Sequence, residues 1–263
     1  MAIKPRVFVT VRNTKRPQRA KSPYIDGCFE AMGVMGSVYI NSQIPSSSGL
    51  GSSAAVTVAT LSAINDEFSL HKTREEVADM AFEIEKTVQK GRASPTDTTV
   101  STYGGIVLIS SGSRRRLPPQ NMHLVIGDSL VSHSTAKMVE QVADLKKKHP
   151  GIVDPVLDAI EGVSMSAIHY LNDPRELGRY MNMNHALLEV LGGGHPQLGR
   201  LVLAARAAGA FGAKITGAGG GGCMVALCPK PIKHRIAQAI EACEARAIVT
   251  GIDTEGARKE KNV

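Results

Sequence analysis

The sequence contains no tryptophan, and its aromatic residues together amount to only 4%. A core must therefore be built from Ala, Val, Leu, Ile and Met, and a platform of rings on which nucleic-acid bases could stack is poorly supplied. Cysteine is also sparse: Cys28, Cys223, Cys228 and Cys243 show neither C-x-x-C spacing nor nearby histidines. That argues against a zinc site and a disulfide framework, and fits thiols kept reduced. No window approaches the roughly 18 apolar residues of a membrane-spanning helix, and the opening MAIKPRVFVTVRNTKRP has no continuous apolar run of the secretory kind. A protein working in the cytoplasm, away from the membrane, is expected.

What is present is an ordinary globular composition. The 263 residues, 43% of them hydrophobic, suit one large domain or two small ones around a cleft. The net charge of +7 is concentrated in RRR (114–116), KKKH (146–149), KPIKHR (230–235) and the tail ARKEK. Without interleaved aromatics these runs read as solvated loops and helix ends, not as a nucleic-acid surface. A basic surface still draws in anionic substrates.

Along the chain, RVFVTVR (6–12) alternates as a strand does, SPYIDGCFEAMG (22–33) predicts a helix and GSVYINSQIP (36–45) a second strand. Helices are predicted over 52–68 and 73–89. The second begins with the capping box T-R-E-E and places Val77, Met80, Ala81, Ile84 and Val88 on one apolar face. GGIVLIS (104–110) predicts a strand, SGSRRRLPPQN (111–121) an exposed turn and MHLVIGDS (122–129) another strand. From Ser134 onward four helical stretches follow, broken by Pro and Gly; a glycine-rich turn, the strand CMVALC, a helix around HRIAQAIEACEAR and the strand AIVTGI then close the chain. Early strands and late helices give an α+β fold, with domains expected over 1–130 and 131–263.

Three stretches carry chemistry. In PSSSGLGSSAAV (45–56) the glycines around Leu50 free the backbone to turn consecutive N–H groups toward one anion, and the helix that follows aims its positive end at the same point. Ser52 and Ser53 add hydroxyls able to cap the helix or to hold Mg²⁺. The lysine of GxxxxGK[ST] is missing, so this is not a P-loop; a capped helix after a flexible turn is the plainer alternative. KITGAGGGGCMVAL holds five glycines between Gly217 and Gly222, a run a structured chain keeps where backbone approaches something closely. ASPTDTTVSTYGG (93–105) places Asp97 in a polar turn between helix and strand, where either a catalytic group or an Asx-turn fits. His185, in a helix whose Met181, Leu187, Leu188 and Leu191 face the core, reads as a hydrogen-bonded structural histidine.

In their order, these three stretches resemble the motifs of the GHMP kinases, the superfamily of galactokinase, homoserine kinase, mevalonate kinase and phosphomevalonate kinase. The middle stretch is most similar to archaeal mevalonate kinases, whose Ala-Ser-Pro-Thr-Asp run leads into Ser-Thr-aromatic-Gly-Gly. The similarity continues through NHALLEVLG and ARAAGAFGAKITGAGGGG. It implies a ribosomal-protein-like N-terminal domain and a ferredoxin-like C-terminal domain around a cleft. It further implies that Ser48, Gly49, Leu50, Gly51, Ser52 and Ser53 wrap the phosphates of ATP, and that Ser53 and Glu85 hold Mg²⁺. Lys90 resembles a one-residue insertion that leaves Glu83 as the other register. By the same resemblance Asp97 takes the proton of the acceptor hydroxyl, and Gly217, Gly219 and Gly220 shape a wall beside the phosphate. The implied reaction is phosphorylation of the primary hydroxyl of mevalonate, with a homodimer as the family expectation. The alternatives are a kinase of phosphomevalonate, homoserine or a sugar, and a non-catalytic nucleotide-binding relative. The opening AIKPRVFVTV is similar to family sequence just downstream of a strand pair carrying Pro-Gly-Lys and Gly-Glu-His segments, so the expectation is a start internal to a longer gene product or a natural truncation.

Overall fold

The computed structural model describes residues 1–18, 21–45, 49–91, 93–110, 113–132 and 134–260. The chain forms two compact units, one of residues 1–46, 51–119 and 252–263, the other of residues 47–50 and 120–251.

The first unit pairs β1 (Val7–Asn13) antiparallel with β2 (Gly36–Ser42) and packs four helices: α1 (Pro23–Met32), α2 (Ser52–Glu67), α3 (Arg74–Val88) and α4 (Pro95–Tyr103). Its core joins Val11 of β1, Ile25 and Phe29 of α1, Val58, Leu61 and Ile64 of α2, and Val77, Ala81 and Ile84 of α3. Helix α3 starts as its sequence predicts, with the Thr73 side chain accepting from the Glu76 N–H and the Glu76 carboxylate accepting from the Thr73 N–H. Burying its apolar face then holds α3 between α1 and α2, since a helix of this length depends on packing more than on propensity.

Two sequence expectations need correction here. Asp97 does not lie in a turn: Ser94 caps α4 and Pro95 occupies its first turn, so Asp97 sits on the helix. Ser-Pro is a regular helix start, but the β-branched run Thr96, Thr98, Thr99, Val100 disguises it. Nor is 111–121 wholly a turn, because β4 (Ser113–Arg116) pairs antiparallel with β3 (Val107–Ser110). Three consecutive arginines carry no apolar alternation to betray a strand. They are used instead as polar contacts, Arg114 to Asp79 at 2.7 Å and Arg116 to the Thr254 carbonyl at 3.1 Å.

The second unit holds β5 (His123–Asp128), α5 (Thr135–Lys148), α6 (Pro150–Ala167), α7 (Pro174–Val190), α8 (Pro196–Ala207), β6 (Gly212–Ile215), β7 (Cys223–Cys228), α9 (Lys233–Glu241) and β8 (Arg246–Gly251). Its sheet runs β6-β7-β5-β8, antiparallel throughout. Numbered within the unit and read from β8, this is the order 4-1-3-2 of a ferredoxin-like sheet. Leu198, Leu201 and Val202 of α8 and Ile236 and Ile240 of α9 pack with Met224 and Ala226 of β7 in one buried cluster.

Edge strand β6, which sequence reasoning missed for its shortness, has its outward backbone groups answered by side chains. Asn182 Oδ1 accepts from the Ala213 N–H and Arg206 donates to the Ala213 carbonyl, a way of closing an edge against further pairing. His185 is buried as expected, 3.6 Å from Glu189, but its Nδ1 makes no hydrogen bond. Strand β5 belongs to this unit although it precedes residue 130, while residues after Ile252 return to the first. No helix among the described residues is long and apolar enough to cross a membrane.

Candidate active site

In the first unit, α1 to α4 bring their polar residues to one place. Gly51 is the N-cap of α2, in a left-handed conformation (φ 69°), and no side chain caps this helix end. The leading N–H groups of α2 therefore keep their capacity for an external acceptor. A Cβ on Gly51 would stand 3.2 Å from Asp97 Cγ, so the absence of a side chain lets the carboxylate lie against the α2 terminus. Asp97 itself is in the first turn of α4. Two helix N-termini thus favour its ionised form, while burial pushes its carboxyl above the usual 3.8.

One turn into α2, the Ser53 hydroxyl donates to Glu85 Oε2 at 3.1 Å, and the Thr57 hydroxyl reaches Glu85 Oε1 at 3.3 Å. Gln89 Nε2 donates to Glu85 Oε2 at 2.5 Å. Glu85 is only 4% exposed. Burial raises its pKa, the hydrogen bonds from Ser53 and Thr57 pull it back, and the charge of Asp97 raises it again. Helix α3 ends at Val88, so this buried carboxylate stands at the negative end of its own helix, an arrangement that disfavours an anion and favours a cation beside it. Glu83, the other register, is exposed and pairs with Lys86 at 3.5 Å.

Ser53, Glu85 and Asp97 are therefore neighbours, and sequence reasoning singled out all three. It missed Thr57, Gln89 and Tyr24, whose hydroxyl stands near Gln89 and Ser53. The signal for the first two is a four-residue spacing, Ser53 to Thr57 and Glu85 to Gln89, which puts each pair on one helix face. Cys28 donates to the Thr57 carbonyl at 3.6 Å, and burial pushes its thiol to about 12, which keeps it protonated and inert.

The remaining cradle residues distribute differently. Ser52 is the first residue of α2, Gly49 and Leu50 group with the second unit, and Ser48 lies outside the described residues. In the second unit the glycine-rich turn is held rigidly. Gly220 donates to the Gly193 carbonyl at 2.9 Å and Gly222 to the Val131 carbonyl at 2.9 Å. Gly219 adopts φ 76°, and a side chain there would run into the Gly193 carbonyl. Gly217 lies close to Gly49, whose carbonyl a Cβ on Gly217 would meet at 3.6 Å.

Comparison with known proteins identifies the family. Residues 23–105 match the GHMP kinases N terminal domain and residues 165–246 the GHMP kinases C terminal domain. The chain belongs to the GHMP kinases. It is 43% identical over 230 residues to mevalonate kinase of Thermococcus sibiricus, covering 85% of this chain and 68% of that one. To mevalonate kinase of Methanothermobacter thermautotrophicus it is 38% identical, covering 82% and 73%. Among solved structures, L. major mevalonate kinase in complex with R-mevalonate superposes with a TM-score of 0.82 at 26% identity, covering 97% of this chain and 87% of that one. Lactococcus lactis galactokinase complexed with galactose shares the fold, with a TM-score of 0.76 at 17% identity over 98% of this chain and 88% of that one.

Proposed function

We propose that the chain transfers the γ-phosphoryl group of ATP to the primary hydroxyl of mevalonate, as its relatives' name describes. Its likeness to mevalonate kinases spans both units, and the acceptor assignment rests on that extent of identity. The observation that carries the chemistry is the seat of Asp97, packed on Gly51 at an uncapped helix N-terminus. An alcohol is a poor nucleophile toward phosphorus. A carboxylate within reach of the hydroxyl accepts its proton as the new P–O bond forms, and such help is typically worth 10²–10⁴-fold. Asp97 holds that role. The first N–H groups of α2, with the backbone of Gly51, Ser52 and Ser53, take phosphate oxygens, and in the second unit the backbone of Gly49, Gly217, Gly219 and Gly220 is kept free of side chains that would bar a phosphate.

Mg²⁺ fits the residues present. Ser53 and Glu85 supply a hydroxyl and a single carboxylate, hard oxygen donors of the kind that leave most of the coordination sphere to phosphate and water. Bound there, Mg²⁺ would neutralise charge developing on the transferred phosphoryl group. The chain's own contribution is to favour the ionised form of Glu85 against its burial, through the Ser53, Thr57 and Gln89 hydrogen bonds, while Asp97, which bonds none of these groups among the described residues, serves as the proton acceptor.

An acceptor panel tests the assignment. ADP release is measured with Mg-ATP and, in turn, mevalonate, phosphomevalonate, homoserine and galactose. Mevalonate is expected to have the highest kcat/KM by at least about tenfold, the size of discrimination that a few lost contacts produce. A different acceptor leading the panel would refute the mevalonate assignment while leaving the kinase chemistry standing.

A further inference from the structure

Among the polar groups around Glu85, Gln89 is required by no phosphate, metal or acceptor. It follows the last residue of α3 as the C-cap. Its backbone N–H still bonds the Glu85 carbonyl at 2.9 Å, and its amide returns to the Glu85 carboxylate at 2.5 Å. Both links tie Gln89 to Glu85, one through the backbone and one through the side chain. The Tyr24 hydroxyl of α1 stands near this amide and near Ser53. Ser53 of α2 and Gln89 of α3 thus bond the same oxygen of Glu85, with Thr57 holding the far oxygen.

The residue type matters. A lysine or arginine in this place would neutralise Glu85 and repel a cation. An apolar residue would leave Oε2 free to rotate away from Ser53. A neutral amide fixes the carboxylate and leaves its charge available. Beyond Gln89 the chain turns at Lys90 and Gly91, both with positive φ (54° and 83°), toward the helix that bears Asp97, so the amide pins the last regular turn before that reversal.

We infer that Gln89 is a positioning residue for the divalent-cation site: it orients the Glu85 carboxylate toward Ser53, with Tyr24 beside it, and so sets the cation affinity. This rests on the reading of Ser53 and Glu85 as metal ligands. Outer-sphere partners of metal ligands typically account for 10–100-fold in affinity or activity.

The test is direct binding of Mn²⁺, followed by electron paramagnetic resonance, to the full chain saturated with a non-hydrolysable ATP analogue. Wild type is compared with Gln89→Met, Tyr24→Phe and Glu85→Gln, and melting temperatures are recorded for each. Gln89→Met, similar in shape but without the amide, is expected to weaken Mn²⁺ binding about tenfold. Tyr24→Phe is expected to weaken it less, and Glu85→Gln more than either. In turnover, the Mg²⁺ concentration for half-maximal rate should rise in Gln89→Met by a larger factor than kcat at saturating Mg²⁺ falls. If Glu85→Gln weakens Mn²⁺ binding while Gln89→Met and Tyr24→Phe bind as wild type does, the inference is overturned and the metal reading survives. If Glu85→Gln binds Mn²⁺ as wild type does, the metal reading itself is wrong. A lowered melting temperature in Gln89→Met with unchanged Mn²⁺ affinity would make Gln89 a structural residue only.

Discussion

At the scale of single residues, Asp97 and Glu85 show how the site uses burial. Burial raises the pKa of each, and the negative charge of Asp97 raises that of Glu85 further. Both must be ionised to work, one to accept a proton and the other to hold a cation, so activity is lost as pH falls through their raised values. The acid limb of the pH–rate profile is therefore expected above the ordinary 3.8 of an aspartate, as an apparent value belonging to the interacting pair. The sign of the stability effect is the reverse of the usual one. A carboxyl whose folded pKa is raised binds its proton more tightly folded than unfolded, so keeping it ionised at neutral pH costs stability. Asp97→Asn is accordingly expected to melt above wild type at pH 7 while losing its turnover, a trade of stability for function. A variant that melted lower at pH 7 than wild type would contradict this account of Asp97. The roles of Asp97 and Glu85 were legible only through the resemblance, since an isolated aspartate in a Thr-rich stretch reads equally as a cap. Gln89 left only the faint signal of standing four residues after Glu85, and Tyr24 was illegible, because it comes to the site on α1, far from the others in sequence.

At the scale of elements, the helices that carry the site were mostly readable and their ends decide its geometry. Helix α3 shows both ends doing different tasks. Its start is closed by the Thr73–Glu76 box, with Lys72 adding a contact to Glu76 at 2.9 Å. Its end places Glu85 and Gln89 in the site. Thr73→Ala removes one side of the box and is expected to cost about 1 kcal/mol, or roughly 2–4 °C in melting temperature for a chain of this size, with kcat unchanged. A melting curve identical to wild type would show that packing alone fixes the start of α3. The T-R-E-E signal made this box plain in the sequence. The start of α4 was equally present, in Ser94 and Pro95, but was outweighed by the β-branched residues after it. Strands β4 and β6 were missed for a different reason, since both are four residues long, β4 carries three arginines where alternation should show, and β6 has its pairing decided by β7.

At the scale of the whole molecule, the chain does not divide at a single point. After β8 it returns to the first unit, where the Ala257 N–H bonds the Ser101 carbonyl at 2.9 Å and the Asp253 carbonyl accepts from Gly105 at 2.6 Å. Arg6 and Asp253 pair within the same unit. A reading of composition from one end to the other finds a change from strands to helices, and so places one boundary; a terminal segment that rejoins an earlier unit has no signature of its own. The sheet order of the second unit was likewise beyond periodicity, which finds strands but not neighbours, and came instead from the family resemblance. What all the parts serve is one transfer, and its most direct test is ADP release from Mg-ATP by this chain with and without mevalonate, beside Asp97→Asn. The account predicts release that depends on mevalonate and falls about 10²–10⁴-fold in the variant. Release undiminished by Asp97→Asn, or wild-type protein that binds ATP and releases no ADP with mevalonate, would contradict it.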